Sequence, residues 1–68
     1  MFELDGKVKW FNENKGEGVI KDQDGREFYV HYSHIAEKGF RTLEEGEKVR
    51  IKIAKVQGQW RILKVIKK

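Results

Sequence analysis

Between residues 27 and 33 the chain reads Glu-Phe-Tyr-Val-His-Tyr-Ser, directly after an Asp24-Gly25 turn signal. Aromatic and β-branched residues bounded by a turn predict a strand over 26–32. Alternation along a strand places Phe28 and Val30 on one face and Tyr29 and His31 on the other. The first pair suits a core, whereas the second puts flat, polar-edged rings in water. Tyr32 adds a further ring at the end of the strand. Rings on a sheet surface serve either as cross-strand pairs that stabilise the sheet or as a platform for stacked bases. This stretch by itself leaves both readings open.

The remaining pattern extends the same architecture. Residues 6–13 predict a first strand, but strict alternation would set Val8 and Trp10 on one face. A bend or bulge near Trp10 would let Val8 enter the core while Trp10 reaches the surface. Asn12-Glu13-Asn14-Lys15-Gly16 is turn chemistry. Residues 17–22 predict a second strand, in which Gly18 signals a bulge, a tight bend or the close approach of another backbone. Gln23-Asp24-Gly25 predicts a hairpin turn into the strand already described.

From 33 to 46 the pattern dissolves. Ser33 is a candidate cap for one helical turn with Ile35 packed under it. Phe40, in a polar loop, reads either as a plug over an open barrel end or as another stacking ring. Residues 47–56 alternate again, with Val49, Ile51 and Ile53 opposite Arg50 and Lys52. Gln57-Gly58 is a turn. Residues 59–67 have mixed phase: a strand is preferred, because the tight turn invites a hairpin, although Ile62, Leu63 and Ile66 would also share a helical face. Five strands of similar length and one long loop predict an all-β fold, a five-stranded antiparallel OB-fold barrel, with an SH3-like barrel as the nearest competitor.

Composition narrows the partners. Residues 1–68 are expected to form one small domain, which buries only about 60% of its unfolded surface. With no Cys, neither disulfides nor thiolate metal sites assist the core. Met1–Gly6 lacks the apolar run of a secretory signal, and no stretch approaches the roughly 20 apolar residues of a membrane span, so a cytoplasmic location is expected. Fifteen Lys and Arg stand against 11 acidic residues, a net charge of +4, which favours polyanionic partners.

Gly6-Lys7-Val8-Lys9-Trp10-Phe11-Asn12, Lys15-Gly16-x-Gly18-x-Ile20, Phe28-Tyr29-Val30-His31-Tyr32-Ser33 and Gly39-Phe40-Arg41-Thr42-Leu43-Glu44-Glu45-Gly46 together resemble a bacterial cold-shock protein over residues 4–53. The resemblance implies an OB barrel that binds single-stranded RNA or DNA through two ribonucleoprotein motifs, acting as an RNA chaperone or antiterminator. It implies first-strand contacts at Lys9, Trp10, Phe11 and Asn12, a phosphate contact at Lys15, a second motif at Tyr29, His31 and Tyr32, and base stacking on Phe40. Neither a cofactor nor a metal is implied, and a monomer is favoured over a dimer.

The chain departs from that family where its first ribonucleoprotein motif carries rings: Glu17 and Val19 stand there instead. At about 1–3 kcal/mol per stacked base, the missing pair would weaken binding by about 2–6 kcal/mol. Glu17 either accepts a hydrogen bond from a cytosine amino group or pairs with Lys7, Lys9 or Lys15 and merely replaces a ring; the second reading is favoured. The family's Gly-Pro-x-Ala stretch is replaced by Gly58-Gln59-Trp60-Arg61, where Trp60 is a candidate replacement ring. The family is commonly acidic, and this chain is basic.

Other chemistry finds less support. Gly16-x-Gly18 lacks the Gly-Lys-Ser/Thr and helix of a phosphate-binding loop. His31 and His34 lack further metal ligands. Ser33 beside them has no orienting acid, and no small-molecule substrate or enzymatic activity is expected. Without a broad amphipathic helix, no membrane role is expected. The competing function is an OB module for protein association, suggested by the altered platform, Trp60 and the apolar last strand.

Overall fold

The computed structural model describes residues 2–35 and 42–67. Five strands follow in order: β1 (Phe2–Asn12), β2 (Glu17–Asp22), β3 (Glu27–His31), β4 (Lys48–Val56) and β5 (Gln59–Lys67), with a single 3-10 turn at Tyr32–His34 after β3. All pair antiparallel in one sheet, ordered β3-β2-β1-β4-β5. The sheet curls so that β3 approaches β5, and a parallel bridge between Ile35 and Val65 joins the two ends. This is the OB arrangement expected from the pattern.

β1 belongs to both halves of the curl. Its first residues pair with β4, from Phe2 opposite Ile53 to Lys7 opposite Lys48, and Gly6–Asn12 pair with β2. The strand therefore begins earlier than the expected residue 6, because Phe2 and Leu4 alternate with Glu3 and Asp5 in register with Ile53 and Ile51. A register shift between Val8 and Trp10 provides the expected bulge. It leaves Val8 1% exposed and Trp10 42% exposed, although they lie two residues apart.

A second register shift settles the mixed phase of β5. Lys52 faces Lys64 and Ile53 faces Ile62, so Leu63 is the extra residue. Ile62 and Val65 both reach the core while Leu63 points to solvent. The three-residue spacing that mimicked a helix is thus a bulged strand.

Phe28 and Val30 from β3, Val49, Ile51 and Ile53 from β4, and Val8 and Ile20 from β1 and β2 meet inside the curl. Ile35 and Leu43 are also buried there. Asp22 is the buried charge among the described residues. Its carboxylate accepts from the backbone N–H of Asp24 and of Arg26, each at 2.9 Å, and from Arg26 Nε at 3.0 Å. Burial alone would push its pKa up, but the hydrogen bonds and the charge of Arg26 outweigh it and hold the carboxyl below its ordinary value. These bonds pin the β2–β3 turn.

Candidate nucleic-acid interface

The outer face of β1, β2 and β3 is built in rungs. Trp10, Val19 and Tyr29 lie directly opposite one another on the three strands, and Asn12, Glu17 and His31 form the next rung. Both rungs follow from sequence parity once the β1 bulge is included, because Val8, Ile20 and Phe28 occupy the buried rung beside them. Trp10 at 42% and Tyr29 at 56% exposure flank the smaller Val19.

Gly18 sets how closely β1 and β2 approach. A Cβ added there would overlap the Trp10 carbonyl oxygen and lie 2.8 Å from the Phe11 ring. Only a glycine allows the bulged segment that presents Trp10 to sit so near β2. Phe11 itself is half-buried and packs against the core. Asn12 shapes the following turn, its Oδ1 accepting from the N–H of Asn14 at 3.0 Å and of Lys15 at 3.1 Å. Lys15 is exposed at that turn.

Past β3 the chain turns so that Tyr32 also faces solvent. Its N–H donates to the Gly16 carbonyl at 2.8 Å, and its ring lies over Gly16, where φ is +68° and a Cβ would come within 3.3 Å of the ring. The His31 and Tyr32 rings meet edge-on at 4.4 Å. The turn is capped by His31, not by Ser33: the His31 ring accepts from the Ser33 N–H, and His34 Nδ1 accepts from the His31 N–H at 3.2 Å. Burial first, and then the nearby His31, keep the His34 pKa below its ordinary value, consistent with a ring that must stay neutral to accept. The proximity of His31, Ser33 and His34 is therefore explained by a local cap.

Glu17 does not pair with Lys7, Lys9 or Lys15. Its Oε2 accepts from the Tyr29 hydroxyl at 2.7 Å, and that donation is the main reason the phenol pKa is raised. Lys9 instead donates to Glu27 at 2.7 Å. This hydrogen bond and the lysine charge hold the Glu27 carboxyl below its ordinary value. Both partners are about half exposed, so the pair contributes little to stability and leaves Lys9 free to exchange its carboxylate for a phosphate.

Trp60 lies across the β3–β5 seam from Tyr29, and the two line one shallow depression with His34 and Arg61. The other side of Trp60 meets the Phe2 ring edge-on at 5.5 Å. Of the apolar residues of β5, Ile62 and Val65 are taken up by the core, while Leu63 and Trp60 stay exposed. Phe40 lies outside the described residues. Sequence reasoning did not single out Lys21 and Lys48, which stand beside Lys7 on the outer face through cross-strand register. No group of residues suited to holding a metal ion occurs among the described residues.

A five-stranded OB barrel with rings on the exposed face of β1–β3 and lysines beside them defines a nucleic-acid-binding module in geometry and charge. The profile of the 'Cold-shock' DNA-binding domain matches residues 4–67. The chain is 57% identical over 44 residues to Cold shock protein 1 of Lactiplantibacillus plantarum, covering 65% of this chain and 67% of that protein. It is 51% identical over 53 residues to CspB of Bacillus caldolyticus, with 78% and 77% covered. Against the cold shock-like protein CspE of Escherichia coli K12 the identity is 48% over 54 residues, with 78% of each chain covered. The chain belongs to the cold-shock DNA-binding domain family.

Proposed function

We propose that this chain is a single cold-shock module that binds single-stranded RNA or DNA without catalysis. Bases stack on Trp10, Tyr29, His31 and Tyr32 while Lys9 and Lys15 meet phosphates. The observation that carries this reading is the rung of Trp10, Val19 and Tyr29, which sets two exposed rings on the same face of neighbouring strands. Stacking tolerates any base, so binding has low sequence specificity and suits an RNA chaperone that keeps strands open in the cytoplasm. The chain works as a monomer. Affinity is moderated by Glu17 and Val19, which contribute charge and a small aliphatic group in place of rings.

Tyr29→Ala and His31→Ala test the platform. Each is expected to lower single-strand affinity by about 1–3 kcal/mol, roughly 5- to 150-fold. The thermal melting midpoint should change little for Tyr29→Ala, because Tyr29 is exposed and its bond to Glu17 lies at the surface. It should fall somewhat for His31→Ala, which also removes the cap of the 3-10 turn. Unchanged affinity in both variants would sink the platform.

A further inference from the structure

Cross-strand charge pairing between β1 and β4 changes character along the ladder. Glu3 faces Lys52 and Asp5 faces Arg50, opposite charges that favour pairing. Arg50 also approaches Glu3 at 3.5 Å and Asp5 at 3.8 Å. On the same ladder Lys7 faces Lys48, and across β1 the same Lys7 faces Lys21 of β2. Three lysines thus stand side by side on one face, an arrangement that destabilises a sheet. Among the described residues no ion pair joins Lys7, Lys21 or Lys48 to a carboxylate; Glu27, opposite Lys21, feels its charge but is bonded to Lys9.

The lysine rung borders a concave site. A hollow of about 480 Å³ is lined by Lys7, Lys9, Lys21 and Lys48, together with Asp5 and Asp22. The two carboxylates are already engaged by arginines, Asp22 by Arg26 at 3.0 Å and Asp5 by Arg50 at 3.8 Å. The remaining character of the hollow is cationic. Its position links it to the rings, since the Lys7–Lys21 rung continues to Glu27, two residues before Tyr29 on the same face of β3.

We infer that the Lys48–Lys7–Lys21 rung is a phosphate-binding extension of the interface, across which the backbone of a strand stacked on Trp10 and Tyr29 runs from β2 over β1 onto β4. This rests on the proposed single-strand function. The phosphodiesters neutralise the like charges that the free protein leaves opposed. Bound bases would then sit on β1–β3, and the adjoining phosphates would be held by a strand that carries no platform ring.

The test is the salt dependence of single-stranded oligonucleotide binding for the wild type, Lys21→Gln/Lys48→Gln and, as a control elsewhere on the surface, Lys64→Gln. Each phosphate contact contributes about −0.7 to the slope of log affinity on log salt. The double variant is expected to lose about 1.4 of that slope, to bind more weakly at low salt, and to melt no lower than the wild type. Lys64→Gln should keep the wild-type slope. A double variant with the wild-type slope, or a loss no larger than that of Lys64→Gln, overturns the inference while leaving the platform intact. A lower melting point with no change in slope does the same, by making the rung structural. Exchange of chloride for inorganic phosphate at equal ionic strength probes the same lysines: competition that vanishes in the double variant supports the rung as the phosphate contact, whereas competition of equal size in the wild type and the double variant places the phosphate contacts elsewhere and overturns the inference. Failure of the wild type to bind any single strand would instead overturn the function on which the inference rests.

Discussion

Glu17→Phe/Val19→Phe is expected to bind single strands more tightly than the wild type by about 2–6 kcal/mol, from roughly 30-fold to 10⁴-fold. Val19 lies directly between Trp10 and Tyr29, and Glu17 directly opposite His31. A ring at each position would turn separated rings into a continuous surface on β1–β3. Neighbouring rings share bases, so their gains are not additive and the lower end of the range is expected. Removing Glu17 also removes a negative charge from the path of a polyanion, and it costs only a surface hydrogen bond to Tyr29. Equilibrium titration with oligomers of each base measures the effect. Because Glu17 is held by the Tyr29 hydroxyl, the gain is expected to be similar for all four bases. A gain confined to bases without an exocyclic amino group would show that Glu17 reads the base edge, and no gain at all would place the bound strand elsewhere.

Gly18→Ala is expected to be the most damaging small substitution on this face. The added methyl would overlap the Trp10 carbonyl oxygen and approach the Phe11 Cα at 2.9 Å. The obstruction is backbone, which cannot rotate aside as a side chain can. Overpacking of this kind costs about 3 kcal/mol at the upper end of the usual range. A domain of 68 residues has a total stability of roughly 3–10 kcal/mol at about 0.05–0.15 kcal/mol per residue. The melting midpoint should fall by about 12–24 °C, at about 4–8 °C per kcal/mol. Any folded fraction should bind weakly, because β1 must move away from β2 and take Trp10 with it. A midpoint within a few degrees of the wild type would contradict the close approach.

Much of the geometry of this face is legible in the sequence. Conflict between the apolar period and the positions of Val8 and Trp10 points to a bend or bulge, which the register shift supplies; of the bulge, tight bend or close approach that Gly18 signals, the structure shows the close approach. Phe28 and Val30 against Tyr29 and His31 separated core from surface by parity alone. What the sequence concealed depends on partners distant along the chain. The Lys48–Lys7–Lys21 rung exists only once β1 lies between β2 and β4. Glu17 had lysines nearby in sequence, but the diagonal neighbour on β3, Tyr29, reached it instead. Ser33 is the expected cap because hydroxyl side chains are the common caps; the imidazole of His31 occupies that position. In β5 the spacing of Ile62, Leu63 and Ile66 fitted a helix as well as a strand, and the bulge opposite Lys52 and Ile53 decided between them.

Trp10 reports most directly on the central claim that a working stacking platform survives the loss of two rings. The decisive measurement is a fluorescence titration of Trp60→Phe, which leaves Trp10 as the tryptophan observed, with a single-stranded oligonucleotide and the matching duplex at low and near-physiological salt. Strong quenching by the single strand that persists at the higher salt, with little response to the duplex, is the predicted result. Quenching that appears only at low salt and equally for both ligands would mean that charge alone binds, and it would contradict the platform.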